Sequence, residues 1–209
     1  MKLTKYRHAC FTVEEKGKIV VVDPGGFSTD FIAPINVVAV IITHEHPDHF
    51  DPERLAEIMD KNPEATILAP HSISDKLEAF SHRPVAAGEI VEVGPFVLAF
   101  HGGQHATIHN SLPPLENIGV VINDLIYYGG DSFVLPGQPV DTLLLPASAP
   151  WMKISETMNY LSAVKPRLAI PTHDAILSIE GQGIADRILG DAAQSTGCEY
   201  QRLEASIEI

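Results

Sequence analysis

Short apolar runs recur along the chain with the length of buried β-strands. The runs 19–22, 37–42 and 141–146 are rich in Val, Ile and Leu, and 65–69 is a further short apolar run. Apolar runs of this length suit strands of a sheet, and those without polar alternation suit strands covered on both faces. The first of them ends at the turn sequence 23–26. The pattern therefore predicts a largely buried sheet.

Stretches with helical spacing follow several of these strands. Asp51 and Pro52 mark a helix start, because aspartate favours the cap and proline the first helical position. Apolar residues then recur at helical spacing, at Leu55, Ile58 and Met59. The alternation of strand and helix indicates α/β layering. Further helices are predicted over 72–80, 154–164 and 184–193.

The remaining pattern consists of short strands joined by turns. Residues 85–100 are predicted as an antiparallel meander, and 118–122 with 125–128 as a hairpin. The chain has 209 residues without a linker or low-complexity segment, so we expect a single domain spanning 1–209. Further strands are predicted over 2–6, 10–13 and 167–171, and a final strand or strand pair over 199–209.

Composition narrows the classes of protein. Lysine and arginine total 14 against 27 acidic residues, a net charge of −13, and no basic cluster stands out. Nucleic acid is therefore a disfavoured substrate, although a basic patch could still form on folding. No apolar run has transmembrane length and the N-terminal segment lacks the core of a signal peptide, so we expect a cytoplasmic protein without a membrane partner. Cys10 and Cys198 are expected to be reduced core residues.

Candidate chemistry is concentrated directly after the strand 37–42. Four potential metal ligands, His44, His46, Asp48 and His49, fall within six residues. They are predicted to lie on a loop between a buried strand and a helix N-terminus. Imidazole and carboxylate groups together suit zinc and similar divalent ions. The alternative, a polar loop whose histidines face solvent, explains this density poorly.

Other chemically capable residues follow later strand ends. Three histidines, at positions 101, 105 and 109, surround the glycines 102–103, and from the residues alone any of them could be a ligand. Asp23 and Asp131 each follow a strand and taken alone fit turn aspartates. His173 follows the predicted strand 167–171. The sequence thus offers more ligands than one tetrahedral ion needs.

The stretch 44–49 resembles the H-x-H-x-D-H signature of the metallo-β-lactamase-fold hydrolases. The resemblance implies an α/β (α+β) fold, a four-layer αββα sandwich with pseudo-two-fold symmetry. Di-iron oxygen and nitric oxide reductases of this fold usually carry Glu where this chain has His46. By resemblance, a first metal is held by His44, His46 and His105, a second by Asp48, His49 and His173, and Asp131 bridges them.

Within that superfamily the chain looks most similar to the ascorbate-6-phosphate-lactonase-like hydrolases. The matching segments are 7–9, 157–158 and 170–173. Two departures matter: Arg7 replaces a glycine that usually precedes the early histidine, and 148–151 replaces a glycine-rich loop that contributes to substrate recognition. The resemblance also implies supporting or pocket-lining roles for three residues, His8, Asp23 and His101.

These features predict a metal-dependent hydrolase of a small, anionic ester, lactone or phosphoester. Its cofactors are expected to be two divalent ions, zinc in the first place and manganese or iron as alternatives, which activate a hydroxide. Asp48 and Asp131 are the expected catalytic carboxylates. A phosphodiesterase or nuclease, and a non-catalytic metal-binding regulatory module, are the alternative readings. The expected partner is a small-molecule substrate, and a homo-oligomer is left open.

Overall fold

Two seven-stranded mixed sheets form the centre of the computed structural model, which describes residues 1–209. The first six strands belong to one sheet: β1 Lys2–Lys5, β2 Phe11–Glu15, β3 Lys18–Val22, β4 Val37–Ile41, β5 Thr66–Ala69 and β6 His82–Pro84. The next seven form the other: β7 Ile90–Val93, β8 Phe96–Gly102, β9 Ile118–Ile122, β10 Ile126–Tyr128, β11 Thr142–Pro146, β12 Leu168–Thr172 and β13 Glu199–Tyr200. The last strand, β14 Ser206–Glu208, returns to the first sheet.

Each sheet combines an antiparallel half with a parallel half. In the first sheet, of order β14-β1-β2-β3-β4-β5-β6, pairing is antiparallel as far as β3 and parallel from β3 to β6. In the second, of order β13-β12-β11-β10-β9-β8-β7, the hairpin strands β7 to β10 are antiparallel and β10 to β13 are parallel. The shared plan gives the two halves of the chain an approximate two-fold relationship.

Helices cover the outer faces of the sheets. They are α1 Pro52–Lys61, α2 Ile154–Val164 and α3 Ile179–Thr196, with a short 3₁₀ helix at His71–Leu77. One apolar cluster joins the facing surfaces of both sheets, a second joins the first sheet to α1 and the 3₁₀ helix, and a third joins the second sheet to α2 and α3. The arrangement is the four-layer sandwich that the resemblance implied. No helix has the length and apolar character needed to cross a bilayer.

Most predicted elements are present, and the differences have local causes. Helix α1 begins as predicted, with the Asp51 carboxylate accepting from the backbone of Glu53 and Arg54 at 2.9 and 3.4 Å. The helix predicted over 72–80 is instead the 3₁₀ helix, whose N-cap residue Pro70 makes no side-chain capping bond. Helix α3 begins earlier than the predicted 184, at Ile179. The two glycines in its first turns have low helix propensity and hide this start in the sequence.

The carboxyl ends of the parallel strands position the candidate site. Asp23 follows β3, the 43–50 loop follows β4, and His173 follows β12. Two backbone hydrogen bonds join the sheets here: Ile118 donates to the Thr43 carbonyl at 2.9 Å, and His173 donates to the His8 carbonyl at 3.1 Å. The fold therefore gathers loops from both halves at one rim of the sandwich, where open α/β sheets generally bind ligands.

Candidate metal centre

The 43–50 loop is fixed by packing against the turn that follows β3. Gly26 donates its backbone N–H to the Pro47 carbonyl at 2.8 Å. A Cβ atom at Gly25 would overlap the backbone carbonyl of Asp48, so only glycine allows the loop to approach this closely. Inside the loop, His49 and Phe50 both donate to the carbonyl of residue 46, at 3.0 and 2.9 Å. The four ligand candidates thus sit on a rigid backbone.

Asp23 anchors the loop from beneath. Its side chain is fully buried, and its Oδ1 accepts from the Thr43 backbone N–H at 2.8 Å. Its Oδ2 accepts from the Thr43 hydroxyl and from His49 Nδ1, both at 2.7 Å. The second bond places a proton on Nδ1 and turns Nε2 toward the centre of the site. Carboxylate–histidine pairs of this kind orient metal-binding imidazoles.

Two clusters of ligand atoms lie side by side above this anchor. The first contains His44, His46, His105 and Asp131, and the second contains His8, Asp48, His49 and His173; within each, the ligand atoms lie within 4.8 Å of one another. The structure therefore brings together all seven residues that the resemblance implied as ligands. They come from four segments separated by long stretches of chain.

Asp131 lies between the two clusters. Its Oδ2 is 3.3 Å from His105 Nε2 in the first cluster. Its Oδ1 is 3.2 Å from the Nε2 atoms of both His49 and His173 in the second. The carboxylate is only 3% exposed, and the Asn117 side chain fixes the turn by accepting from the Asp131 backbone N–H at 2.9 Å. Thus Oδ2 of Asp131 faces the first cluster and Oδ1 faces the second.

The donor set fits divalent cations. His49 Nε2 and His173 Nε2 approach to 3.1 Å, although the Nδ1 atom of each ring already donates, to Asp23 and to the Ser148 carbonyl. Both Nε2 atoms therefore face the centre of the site, where a bound cation would take the place of a proton. Nε2 of His105 and Oδ1 of Asp131 are also buried without a hydrogen-bond partner. Lone pairs that converge without donors are stabilised by a cation.

The pKa values of the ligand candidates also favour a bound cation. Burial, and then the neighbouring His49, hold the pKa of His44 well below its ordinary value, so this imidazole stays neutral. Burial raises the pKa of Asp131, but the neighbouring His49, His105 and His173 outweigh it and hold that pKa well below the usual range. Burial lowers the pKa of His49, but Asp131 and Asp23 outweigh it, so the pKa of His49 lies well above its ordinary value. Burial likewise lowers the pKa of His173, but Asp131 and Asp48 outweigh it and raise that pKa to about 9. A cation bound here would replace the protons that these two rings hold without it.

His8 belongs to the second cluster but is oriented differently from the other histidines. Its Nδ1 accepts from the backbone N–H of Ala175 at 3.3 Å, so Nε2 carries the proton and donates to Asp48 Oδ2 at 2.9 Å. The residue is fully buried and has a positive φ of 63°. His8 therefore orients the Asp48 carboxylate and offers no free lone pair in this arrangement.

His101 lies apart from both clusters, which corrects the expectation of a supporting role. It is still part of β8, where it pairs with Gly119, and its ring packs against Tyr127 with centroids 6.1 Å apart. His105 follows the glycines of the turn and reaches the centre instead. Alternation of side chains within the strand, which continues to residue 102, keeps His101 from turning toward the ligands.

Trp151 is a site residue that the sequence reasoning missed. Its indole N–H donates to Asp131 Oδ2 at 2.8 Å, and its ring lies 6.0 Å from that of His105 and 5.1 Å from that of Phe133. It lies in the 148–151 segment, which departs from the glycine-rich loop that the resemblance implied. A lone tryptophan in that segment was the available signal, but its partner could not be read from the sequence.

A cavity of about 390 Å³ opens beside His46 and His105. Its wall is the segment 104–115, which we call the rim loop. Two backbone hydrogen bonds fix the base of the loop: His105 donates to the Leu115 carbonyl at 2.9 Å, and Ala106 donates to the Asp131 carbonyl at 2.8 Å. The cavity therefore has a defined position relative to the first cluster.

Comparisons with known proteins identify the family and the fold. Residues 2–173 match the family described as the Beta-lactamase superfamily domain. The chain is 36% identical to Protein Rv0786c of Mycobacterium tuberculosis over 209 residues, covering 97% of this chain and 96% of that protein. It is 27% identical to a UPF0173 metal-dependent hydrolase of Carboxydothermus hydrogenoformans, covering 83% and 84%. Igni18, a metallo hydrolase from Ignicoccus hospitalis, shares the fold with a TM-score of 0.77 at 20% identity, covering 100% and 98% of the two chains.

Proposed function

The chain belongs to the beta-lactamase superfamily and is a metal-dependent hydrolase, and from this premise we propose that it uses two divalent cations, zinc in the first place, to hydrolyse a small ester, lactone or phosphoester. The first ion would be held by His44, His46 and His105, and the second by Asp48, His49 and His173. In a phosphoester the negative charge belongs to the reacting group, which would face the cations, and in an ester or lactone the carbonyl oxygen would face them.

The position of Asp131 carries this proposal. A site for one ion would need only one of the two clusters, whereas this carboxylate points one oxygen into each, 3.3 Å from His105 and 3.2 Å from His49. Three protein ligands and a shared carboxylate leave coordination positions open on each ion, which distinguishes catalytic from closed structural sites. The arrangement is therefore suited to a bridging role for Asp131.

When bound, the cations would supply Lewis acidity and lower the pKa of water, so that a nucleophile is available at neutral pH. The chain's own groups would position that reaction. Asp48 is 18% exposed whereas Asp131 is 3% exposed, so Asp48 is the carboxylate that can exchange a proton with a water at the mouth of the site. His8 holds its Oδ2 and so fixes the direction of the group. Asp131 stays buried and holds the two clusters together.

Metal stoichiometry and hydrolysis together test the proposal. Metal-free protein is reconstituted with zinc, freed of excess ion and measured by elemental analysis, and then assayed on generic carboxylic esters, lactones, phosphomonoesters and phosphodiesters. Two ions per chain and chelator-sensitive turnover are the expected results. One ion at saturation would refute the binuclear site. Preference for phosphodiesters would shift the assignment to the nuclease class, and loaded protein inactive on every ester class would refute the reaction.

A further inference from the structure

The rim loop gives the candidate centre an asymmetric surrounding. The cavity it walls contacts His46 and His105 of the first cluster and no ligand residue of the second. A substrate whose reacting group lies between the clusters would therefore extend part of its structure into this cavity.

The lining of the cavity carries no formal charge. None of its residues is Lys, Arg, Asp or Glu, and the only titratable groups are histidines, two of them candidate ligands. The nearby charges are already engaged: Glu116 accepts from the Ser72 backbone N–H at 2.8 Å, and Lys76 pairs with Glu45 at 2.6 Å. A second anionic group of a substrate would find no side-chain cation there, in a chain whose net charge is −13.

The same loop exposes apolar side chains beside the centre. Ile108 is 40% exposed and Leu112 is 52% exposed, and two prolines at 113 and 114 complete this wall. Apolar surface gathered in a concave wall next to a reactive centre is stabilised when a ligand covers it. Gln104 and Asn110 contribute neutral amides that can donate or accept hydrogen bonds without demanding charge.

We propose that the rim-loop cavity binds a neutral, mainly apolar alkyl or aryl group of the substrate. This inference rests on the proposed function and makes it more specific. Substrates with an anionic group outside the reacting group, such as a lactone that bears a phosphate substituent, would be poor substrates. Alkyl and aryl esters or lactones would be favoured.

A matched pair of metal-binding probes tests the cavity without relying on turnover. Octanohydroxamic acid and suberic acid monohydroxamate share a chelating head and a chain of the same length, and differ by a terminal carboxylate. Their Kd values for zinc-loaded protein are measured by calorimetry at constant ionic strength. We expect the neutral probe to bind at least about tenfold more tightly, because the carboxylate would lose water without gaining a cation.

Charge-changing variants show whether the rim loop is responsible. Leu112→Lys should strengthen binding of the carboxylate probe and weaken that of the neutral one, reducing the Kd ratio about tenfold. Leu135→Lys is the matched control, because Leu135 is 50% exposed and lines a different depression. The two substitutions change the net charge by the same amount. Leu135→Lys should leave the ratio unchanged.

The outcomes separate this inference from the function on which it rests. Equal affinity for the two probes, or equal effects of the two lysine substitutions, would refute the neutral cavity while leaving the metal centre intact. Failure of both probes to bind protein that demonstrably carries zinc would overturn the open catalytic centre and the cavity with it.

Discussion

Replacing Trp151 with Phe isolates one hydrogen bond at the candidate bridge. The substitution keeps an aromatic ring beside His105 and Phe133 but removes the indole N–H that donates to Asp131 Oδ2 at 2.8 Å. That bond restrains the carboxylate while its other oxygen faces the second cluster. Without it, Asp131 gains rotational freedom and must be ordered when the cations bind.

The expected magnitude follows from the chemistry of that contact. A hydrogen bond to a charged group contributes about 1.5–3 kcal/mol, and losing a partner that supports a metal ligand weakens metal binding about 10–100-fold. Trp151 is only partly buried, so water can replace some of the lost interaction. We therefore expect zinc affinity to fall about tenfold, which corresponds to about 1.4 kcal/mol.

Competition with a chromophoric chelator at fixed pH measures this change in zinc affinity. Phe133→Leu is the control, because it alters the ring packed 5.1 Å from Trp151 and leaves the indole N–H in place. Far-UV circular dichroism should show the same fold in both variants. If Trp151→Phe binds zinc within about twofold of wild type, or no more weakly than Phe133→Leu, the reasoning that this bond supports the bridge is refuted.

Three further predictions test the bridge, the ligand set and the loop packing. Asp131→Asn keeps the side-chain size but removes the charge between the clusters, so bound zinc should fall below two ions per chain and kcat should fall by orders of magnitude; wild-type values of both would contradict a bridging role. His105→Ala should greatly weaken zinc binding while His101→Ala retains it, and the reverse ranking in the chelator assay would reassign the ligand. Gly25→Ala should destabilise the fold by about 1–3 kcal/mol through overpacking, whereas Gly183→Ala, with open space around it, should not lower Tm; equal Tm values for the two would show that the loop can move aside.

The sequence determined the parts of the site that are local in the chain. Four ligand candidates within 44–49, preceded by a buried strand and followed by a capped helix, lie where the pattern placed them. Their neighbours along the chain suffice for that prediction, because a buried strand, a tight turn and a proline at a helix start are each set by residues a few positions apart. The resemblance carried by this segment implied the superfamily and its four-layer fold, and the alternation of strand and helix indicated α/β layering.

Tertiary structure alone decided which strand ends share a rim and which side chains reach across it. The last strands show this: 199–209 was predicted as one strand or a pair, but β13 joins the second sheet and β14 pairs with β1 in the first. Two residues that orient the carboxylates also depend on distant partners. His8 accepts from Ala175, 167 positions away, and Trp151 donates to a carboxylate 20 positions away. Such contacts leave no local pattern, because hydrophobic periodicity reports the environment of a segment and carries no information about which polar group the fold will bring opposite it.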